Sequence, residues 1–208
     1  YGTPGHDYGV EGEVVECNPY LKFRFRVKEE AIWHEVQTHL IGAYNVTNAL
    51  AAIAVGHHFG VNAEQAAEAI GKYMPTNNRS EMVKTAHNTL IVDAYNANPT
   101  SMKAALENFA AINAPHKMAI LGEMRELGEV SAQEHQTVAE QALTTGCEEV
   151  WLVGEAFQAF SELADSIRWF PDVEAVTVAL KDGDCPEGRL ILIKGSNGTK
   201  LFKLPALL

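Results

Sequence analysis

From Leu21 to Val27 apolar and charged residues alternate without a break, with Leu21, Phe23, Phe25 and Val27 on one parity and Lys22, Arg24 and Arg26 on the other. A period of two belongs to a strand with one dry and one wet face. Gly9 to Glu16 alternates in the same way, Asn18-Pro19 supplies a turn between the two, and residues 32–38 offer a third strand. The three cations could form an anion site, but alternation also accounts for them as the solvated side of an antiparallel sheet. After Gly42 the period changes. Small and apolar residues through Val55 predict a helix, and a second is expected from Asn62, with Ala63, Ala66, Ala67, Ile70 and Tyr73 as its buried stripe and Met74-Pro75 as its stop. The polar run Thr76-Asn77-Asn78-Arg79-Ser80-Glu81 follows. It marks the boundary between two expected domains, 1–76 and 77–208.

Beyond residue 80 short apolar runs alternate with helical patterns. Strands are expected at 83–86, 90–93, 117–121, 149–153 and 190–193, and helices at 100–112, 132–143, 156–164, 173–180 and 200–204. Such a series predicts an α/β, Rossmann-like fold: a mostly parallel sheet with flanking helices and right-handed crossovers. Ligands of open α/β sheets lie beyond the carboxyl ends of the strands. That edge would collect Asp93 to Asn98, Gly122-Glu123-Met124-Arg125, Gly154-Glu155 and Lys194-Gly195-Ser196-Asn197-Gly198.

Charge narrows the partners. Sixteen Lys plus Arg against 27 Asp plus Glu leave a net charge of -11, which argues against a broad nucleic-acid or anionic-membrane surface. No apolar run approaches the ~20 residues of a membrane span. Neither a basic-then-apolar leader nor an initiating Met stands at the N-terminus, so a processed or cut chain is expected. Three widely separated cysteines, Cys17, Cys147 and Cys185, fit no metal-ligand spacing and are expected as free thiols in a reducing cytoplasm. The pair His57-His58 falls late in a helical pattern and reads as a solvated helix end. Zincin, serine-hydrolase and Cys-x-x-Cys motifs are missing, so those chemistries and a metal site find no support.

Candidate chemistry gathers at a few positions. Thr89-Leu90-Ile91-Val92 reads as a buried strand that runs into Asp93, Tyr95, Asn96 and Asn98 before Pro99 opens a helix, either a site or a solvated strand-to-helix turn. Asn45 and Asn48 share one helix face, and a carboxamide offers the donor and acceptor needed to grip an adenine edge. The alternative is that Asn45 caps the helix and Asn48 bonds locally. Arg79 in the polar run is either solvated or placed to reach a phosphate. Lys194-Gly195-Ser196-Asn197-Gly198-Thr199 offers amide N–H groups, a hydroxyl and an ammonium to an anion, without the Gly and Lys spacing of a triphosphate loop. Leu121-Gly122-Glu123-Met124-Arg125-Glu126-Leu127-Gly128 is a charged loop before Ser131, which is expected to cap a helix with Glu134 at its third position.

Taken together, Gly42 to Ala52, Asn78-Arg79-Ser80-Glu81, Asp93-Ala94-Tyr95-Asn96-Ala97-Asn98-Pro99, the Leu121 to Gly128 loop and Lys194-Gly195-Ser196 occur in the order and at the spacing of a known family. From about Val36 onward the chain resembles the Mur ligases of bacterial cell-wall synthesis. The resemblance implies an ATP- and Mg2+-dependent amide-forming ligase of peptidoglycan synthesis, working in the cytoplasm as a monomer. Its substrates would be UDP-N-acetylmuramoyl-tripeptide and D-alanyl-D-alanine, joined through an acyl-phosphate. Residues 1–76 would be the β/α tail of a central ATPase domain and 77–208 a C-terminal Rossmann-like domain. The phosphate loop, the magnesium ligands and a carbamylated lysine would lie in sequence preceding Tyr1, so this piece would be inactive alone.

Carried over position by position, the resemblance implies ATP contacts from Asn45, Asn48, Arg79 and Asp93: the adenine on Asn48 with Asn45 beside it, phosphate on Arg79 once the domains close, and ribose hydroxyls on Asp93. Tyr95, Asn96, Asn98, Lys194 and Ser196 would lie on the D-alanyl-D-alanine side. No catalytic residue or metal ligand is assigned within the chain. Asn197 departs from the pattern, since many relatives carry Arg there. Two other readings stay open: a non-catalytic nucleotide-binding or interaction module, and a sibling ligase such as a folylpolyglutamate synthase.

Overall fold

The computed structural model describes residues 1–28, 30, 32–76 and 78–208. Residue 77, within the polar run, lies outside them. The chain forms two compact units, Tyr1–Pro75 and Thr76–Leu208.

In the first unit, β1 (Val10–Cys17), β2 (Tyr20–Val27) and β3 (His34–Ile41) make an antiparallel sheet in that order. Leu21, Phe23, Phe25 and Val27 are fully buried in one core with residues of α1 (Asn45–His58) and α2 (Ala63–Lys72). On the wet face Lys22, Arg24 and Arg26 pair with Glu35, Glu13 and Glu11 of the neighbouring strands. The cations are therefore neutralised across the sheet, at ~1 kcal/mol or less per exposed pair. Gly12 marks the place where α1 approaches β1. A Cβ there would come within 2.6 Å of the Leu50 side chain and 2.8 Å of the Arg24 carbonyl oxygen.

Three expectations shift in this unit. β3 begins at His34 and runs to Ile41, while Ile32 is exposed ahead of it. α2 ends at Lys72, so Tyr73 turns to extended backbone and leaves the buried stripe. Pro75 follows closely, and helices stop before the clash and missing donor that a proline brings. Asn45 is the first residue of α1, not its cap; Tyr44 holds the capping position.

The second unit is a six-stranded sheet of β4 (Glu81–Lys84), β5 (Thr89–Asp93), β6 (Lys117–Gly122), β7 (Glu149–Val153), β8 (Ile167–Phe170) and β9 (Leu190–Lys194). Their spatial order is β4-β5-β9-β6-β7-β8, and every pairing except β4 with β5 is parallel. One sheet face, with Leu90, Val92, Met118, Ile120, Ile191 and Ile193, packs with α5 (Val173–Lys181) and with Leu201, Leu204 and Leu208. The opposite parity, including Ile91, Ala119, Leu121, Leu152 and Leu192, is buried as well, on the side of α3 (Pro99–Ala111) and α4 (Ser131–Leu143). Strands buried on both faces read as unbroken apolar runs, as β5, β6 and β9 do.

The differences here have local causes. β8 was not expected; four residues bounded by turns give too short a pattern to stand out. Residues 155–160 form a 3-10 helix in place of an α-helix, consistent with the cost of nucleating a short segment in which Phe157 alone is buried. Residues 201–206 are likewise 3-10 and contain Pro205, which has no N–H to continue a helix. Ser131 is not a cap. α4 is entered directly from a 3-10 turn at Gly128–Val130, so Ser131 is already helical and Val130 occupies the capping position. Among the described residues no helix is long and apolar enough to cross a membrane.

Candidate functional site

β9 lies between β5 and β6, yet the chain leaves it toward the α5 face, whereas it leaves both neighbours toward the α3 and α4 face. Connections that diverge from adjacent parallel strands open a crevice at their carboxyl ends. Asp93, Lys194 and Gly122 are the last residues of these three strands. Close packing at this edge depends on two glycines. A Cβ on Gly195 would sit 2.8 Å from Thr199 Oγ1 and 3.0 Å from the Gly122 Cα, and one on Gly122 would sit 2.7 Å from Thr199 Oγ1.

Lys194 is the central cation. Its side chain is only 2% exposed, and Nζ donates to Asp93 Oδ2 at 2.6 Å and to the Asn96 carbonyl at 3.3 Å. Asp93 Oδ1 accepts from the Ser80 amide at 3.3 Å. A buried ammonium requires such partners, since desolvating it alone costs several kcal/mol. Arg79 stands next to Ser80, and its guanidinium carbon lies 3.9 Å above the centroid of the Tyr95 ring. Asp93, Lys194, Arg79, Tyr95 and Asn96 are thus brought together around the end of β5.

The other residues singled out beside them have local tasks. Asn98 caps α3, accepting from the Ser101 amide at 2.9 Å while Ser101 Oγ accepts from the Asn98 amide. Asn96 Oδ1 accepts from the Ala97 amide at 2.9 Å. Ser196 donates its hydroxyl to the Glu123 carbonyl at 3.0 Å, tying the β9 turn to the β6 loop. Asn197 is exposed at the start of a 3-10 turn.

Sequence reasoning left His135 without a role. It is fully buried on α4, its Nε2 accepts from the Met124 amide at 2.9 Å, and Nδ1–H donates to the Ser131 carbonyl at 2.7 Å. The ring packs edge-on against Phe157, 4.7 Å between centroids. It pins the β6 loop that carries Glu123 and Arg125. Arg125 reaches across to donate to the Gly198 carbonyl at 3.2 Å, and the two loops edge a small cleft of about 110 Å³ with Gly154, Asp172 and Lys200. A wider groove of about 490 Å³ lies at the other end of the sheet, beside His87, Asn88 and Arg189, away from these groups.

In the first unit the two asparagines do form one cluster. Asn45 is buried and donates Nδ2 to the Ile41 carbonyl at 2.8 Å, and its Oδ1 accepts from Asn48 Nδ2 at 3.0 Å. Asn48 itself is exposed, its carboxamide oriented by Asn45. Among the described residues no group of three or more His, Cys, Asp or Glu is placed to hold a metal ion.

Comparisons with known proteins place the chain in a family. A family model described as "Mur ligase, glutamate ligase domain" matches residues 78–197. UDP-N-acetylmuramoyl-tripeptide–D-alanyl-D-alanine ligase from Bacillus subtilis (strain 168) is 33% identical over 213 residues, covering 98% of this chain and 45% of the relative. The enzyme of that name from Rickettsia prowazekii is 35% identical over 200 residues, covering 95% and 42%. A crystal structure of MurF from Acinetobacter baumannii superposes with a TM-score of 0.83 at 26% identity, over 97% of this chain and 45% of that one. The fold is shared too with MurF from Thermotoga maritima in complex with ADP, TM-score 0.77 at 16% identity, covering 96% and 45%. The chain therefore spans less than half the length of the curated relatives it matches. With the larger part of its residues inside the family model and nearly its whole length aligned to relatives 33–35% identical, the chain belongs to the Mur ligase family.

Proposed function

We propose that this chain is part of a ligase that adds D-alanyl-D-alanine to UDP-N-acetylmuramoyl-tripeptide in peptidoglycan synthesis, with ATP as co-substrate, Mg2+ accompanying it, and the cytoplasm as its place of work. Residues 1–76 are assigned to the central ATPase domain and 77–208 to the C-terminal domain. The observation that carries the reading is the cluster at the switch point: a carboxylate, a buried ammonium and an exposed guanidinium around the end of β5, in a chain whose relatives carry that enzyme name.

In this reaction ATP transfers its γ-phosphoryl group to the tripeptide carboxylate, releasing ADP. The dipeptide amine then attacks the acyl-phosphate, loses a proton and expels phosphate. Phosphoryl transfer needs positioning and charge neutralisation more than covalent help from the protein. The side chains fit such tasks. Asn48 presents a carboxamide held by Asn45 for an adenine edge, and the exposed Arg79 offers guanidinium donors to phosphate oxygens. Asp93, fixed by Lys194 and Ser80, offers its remaining lone pairs to ribose hydroxyls. Asn96 and Ser196 line the dipeptide side. Lys194 serves there by donating to the Asn96 carbonyl, and Asn98 by starting α3 at the right place.

Steady-state kinetics on the full-length ligase test the assignment. Asn48→Ala and Asp93→Ala should each raise the KM for ATP with the fold intact by circular dichroism. Unchanged ATP kinetics in both would remove it.

A further inference from the structure

Tyr95 lies on the turn from β5 to α3, about half exposed. The cation above its ring belongs to a short segment held in one shape. Asn78 and Ser80, on either side of Arg79, both have left-handed backbone, with φ of 58° and 49°. Asn tolerates that geometry, whereas a serine adopts it seldom and only where the surroundings enforce it. Here Ser80 is buried and its amide is bonded to Asp93. The segment thus aims Arg79 at the Tyr95 ring.

The partner chosen for that arginine matters chemically. A carboxylate would neutralise the guanidinium and take its N–H donors. A ring face attracts the cation through its quadrupole and leaves the donors in the guanidinium plane available. An arginine stored on a ring is immobilised while still able to meet a phosphate.

We infer that Tyr95 is a positioning residue for the nucleotide: its ring holds Arg79 for the phosphates of ATP, and it is not a contact for the dipeptide. The inference rests on the reading of Arg79 as a phosphate contact.

The test uses the full-length ligase with ATP and D-alanyl-D-alanine varied separately. Tyr95→Ala should raise the KM for ATP about 3- to 10-fold, the range of one such contact, with the dipeptide KM and kcat within twofold of wild type. Tyr95→Phe, which keeps the ring, should restore the ATP KM. Arg79→Ala should be at least as defective, and adding Tyr95→Ala to it should cost nothing more. Calorimetric binding of a non-hydrolysable ATP analogue should follow the same order. On the 208-residue chain, Tyr95→Ala should speed trypsin cleavage after Arg79 without changing the circular dichroism. If Arg79→Ala weakens ATP binding but Tyr95→Ala does not, or Tyr95→Ala raises the dipeptide KM instead, the role given to Tyr95 is overturned and that of Arg79 stands. If Arg79→Ala leaves ATP binding unaltered, both fall.

Discussion

The Lys194–Asp93 pair invites the most demanding perturbation, because one partner can be replaced by a side chain of similar length with no charge. Lys194→Met keeps the aliphatic stem and removes the ammonium. Two unit charges 2.6 Å apart attract by about 6 kcal/mol at an effective dielectric near 20, and the cost of desolvating a side chain only 2% exposed offsets most of that. What the variant loses is compensation for the carboxylate left behind, about 3–5 kcal/mol for a buried pair broken on one side. Asp93 retains the Ser80 amide and is 17% exposed, which places the expectation near the lower figure, about 3 kcal/mol. For a unit of this size that amounts to a fall in Tm of roughly 10 °C. Trp151 and Trp169 both lie in the second unit, so denaturant unfolding followed by fluorescence in a Trp33→Phe background reports on it. The double variant Lys194→Met/Asp93→Ala should be less destabilised than the sum of the singles by about 2 kcal/mol. Additivity within ~0.5 kcal/mol would refute the idea that these groups act as one unit.

Other consequences can be checked separately. His135→Leu leaves the buried Met124 amide without its acceptor and should cost about 2–3 kcal/mol, with hydrogen exchange at Met124 much faster than in the wild type; an unchanged exchange rate would show that the imidazole does not hold the loop. Asn98→Ala removes the α3 cap and should cost about 1 kcal/mol, while Asn98→Asp should be nearly neutral, both read from urea midpoints. Burial pushes the Cys147 thiol above its ordinary 9.0, against smaller lowering effects of the Thr145 hydroxyl and the Lys117 charge. The folded state therefore holds a proton that the unfolded chain releases from about pH 9 upward, so this contribution is intact below pH 9 and lost as pH rises. Cys147→Ala should flatten the alkaline decline in stability; an identical decline in both proteins would contradict the assignment.

How much the chain disclosed in advance follows from the range of the interactions involved. The alternation of β2 and the apolar runs of β5, β6 and β9 follow from burial, which acts on every residue of an element and leaves a period behind. The start of α3 was legible because Pro99 announces itself locally. β8 and the two 3-10 segments were not, since four to six residues carry too little period to compete with turn signals. Ser131 misled because a Ser followed three residues later by Glu satisfies the capping pattern wherever it occurs, and the preceding 3-10 turn had already begun the helix. At the site, the residue types were visible and their partners were not. Nothing local says that Lys194 pairs with a carboxylate 101 positions earlier, or that His135 turns back onto the Met124 amide. Those contacts are created by strand order, and strand order is a property of the whole sheet.

Joining a dipeptide to a nucleotide-linked peptide is the activity proposed for the full-length protein to which this chain contributes. The most direct measurement incubates the full-length protein with UDP-N-acetylmuramoyl-tripeptide, ATP and Mg2+, offers D-alanyl-D-alanine and glutamate in competition, and weighs the products by mass spectrometry. A D-alanyl-D-alanine adduct, formed with one ADP and one phosphate per bond, is the expected result; a glutamate adduct, or ATP turnover with no ligated product, would contradict it.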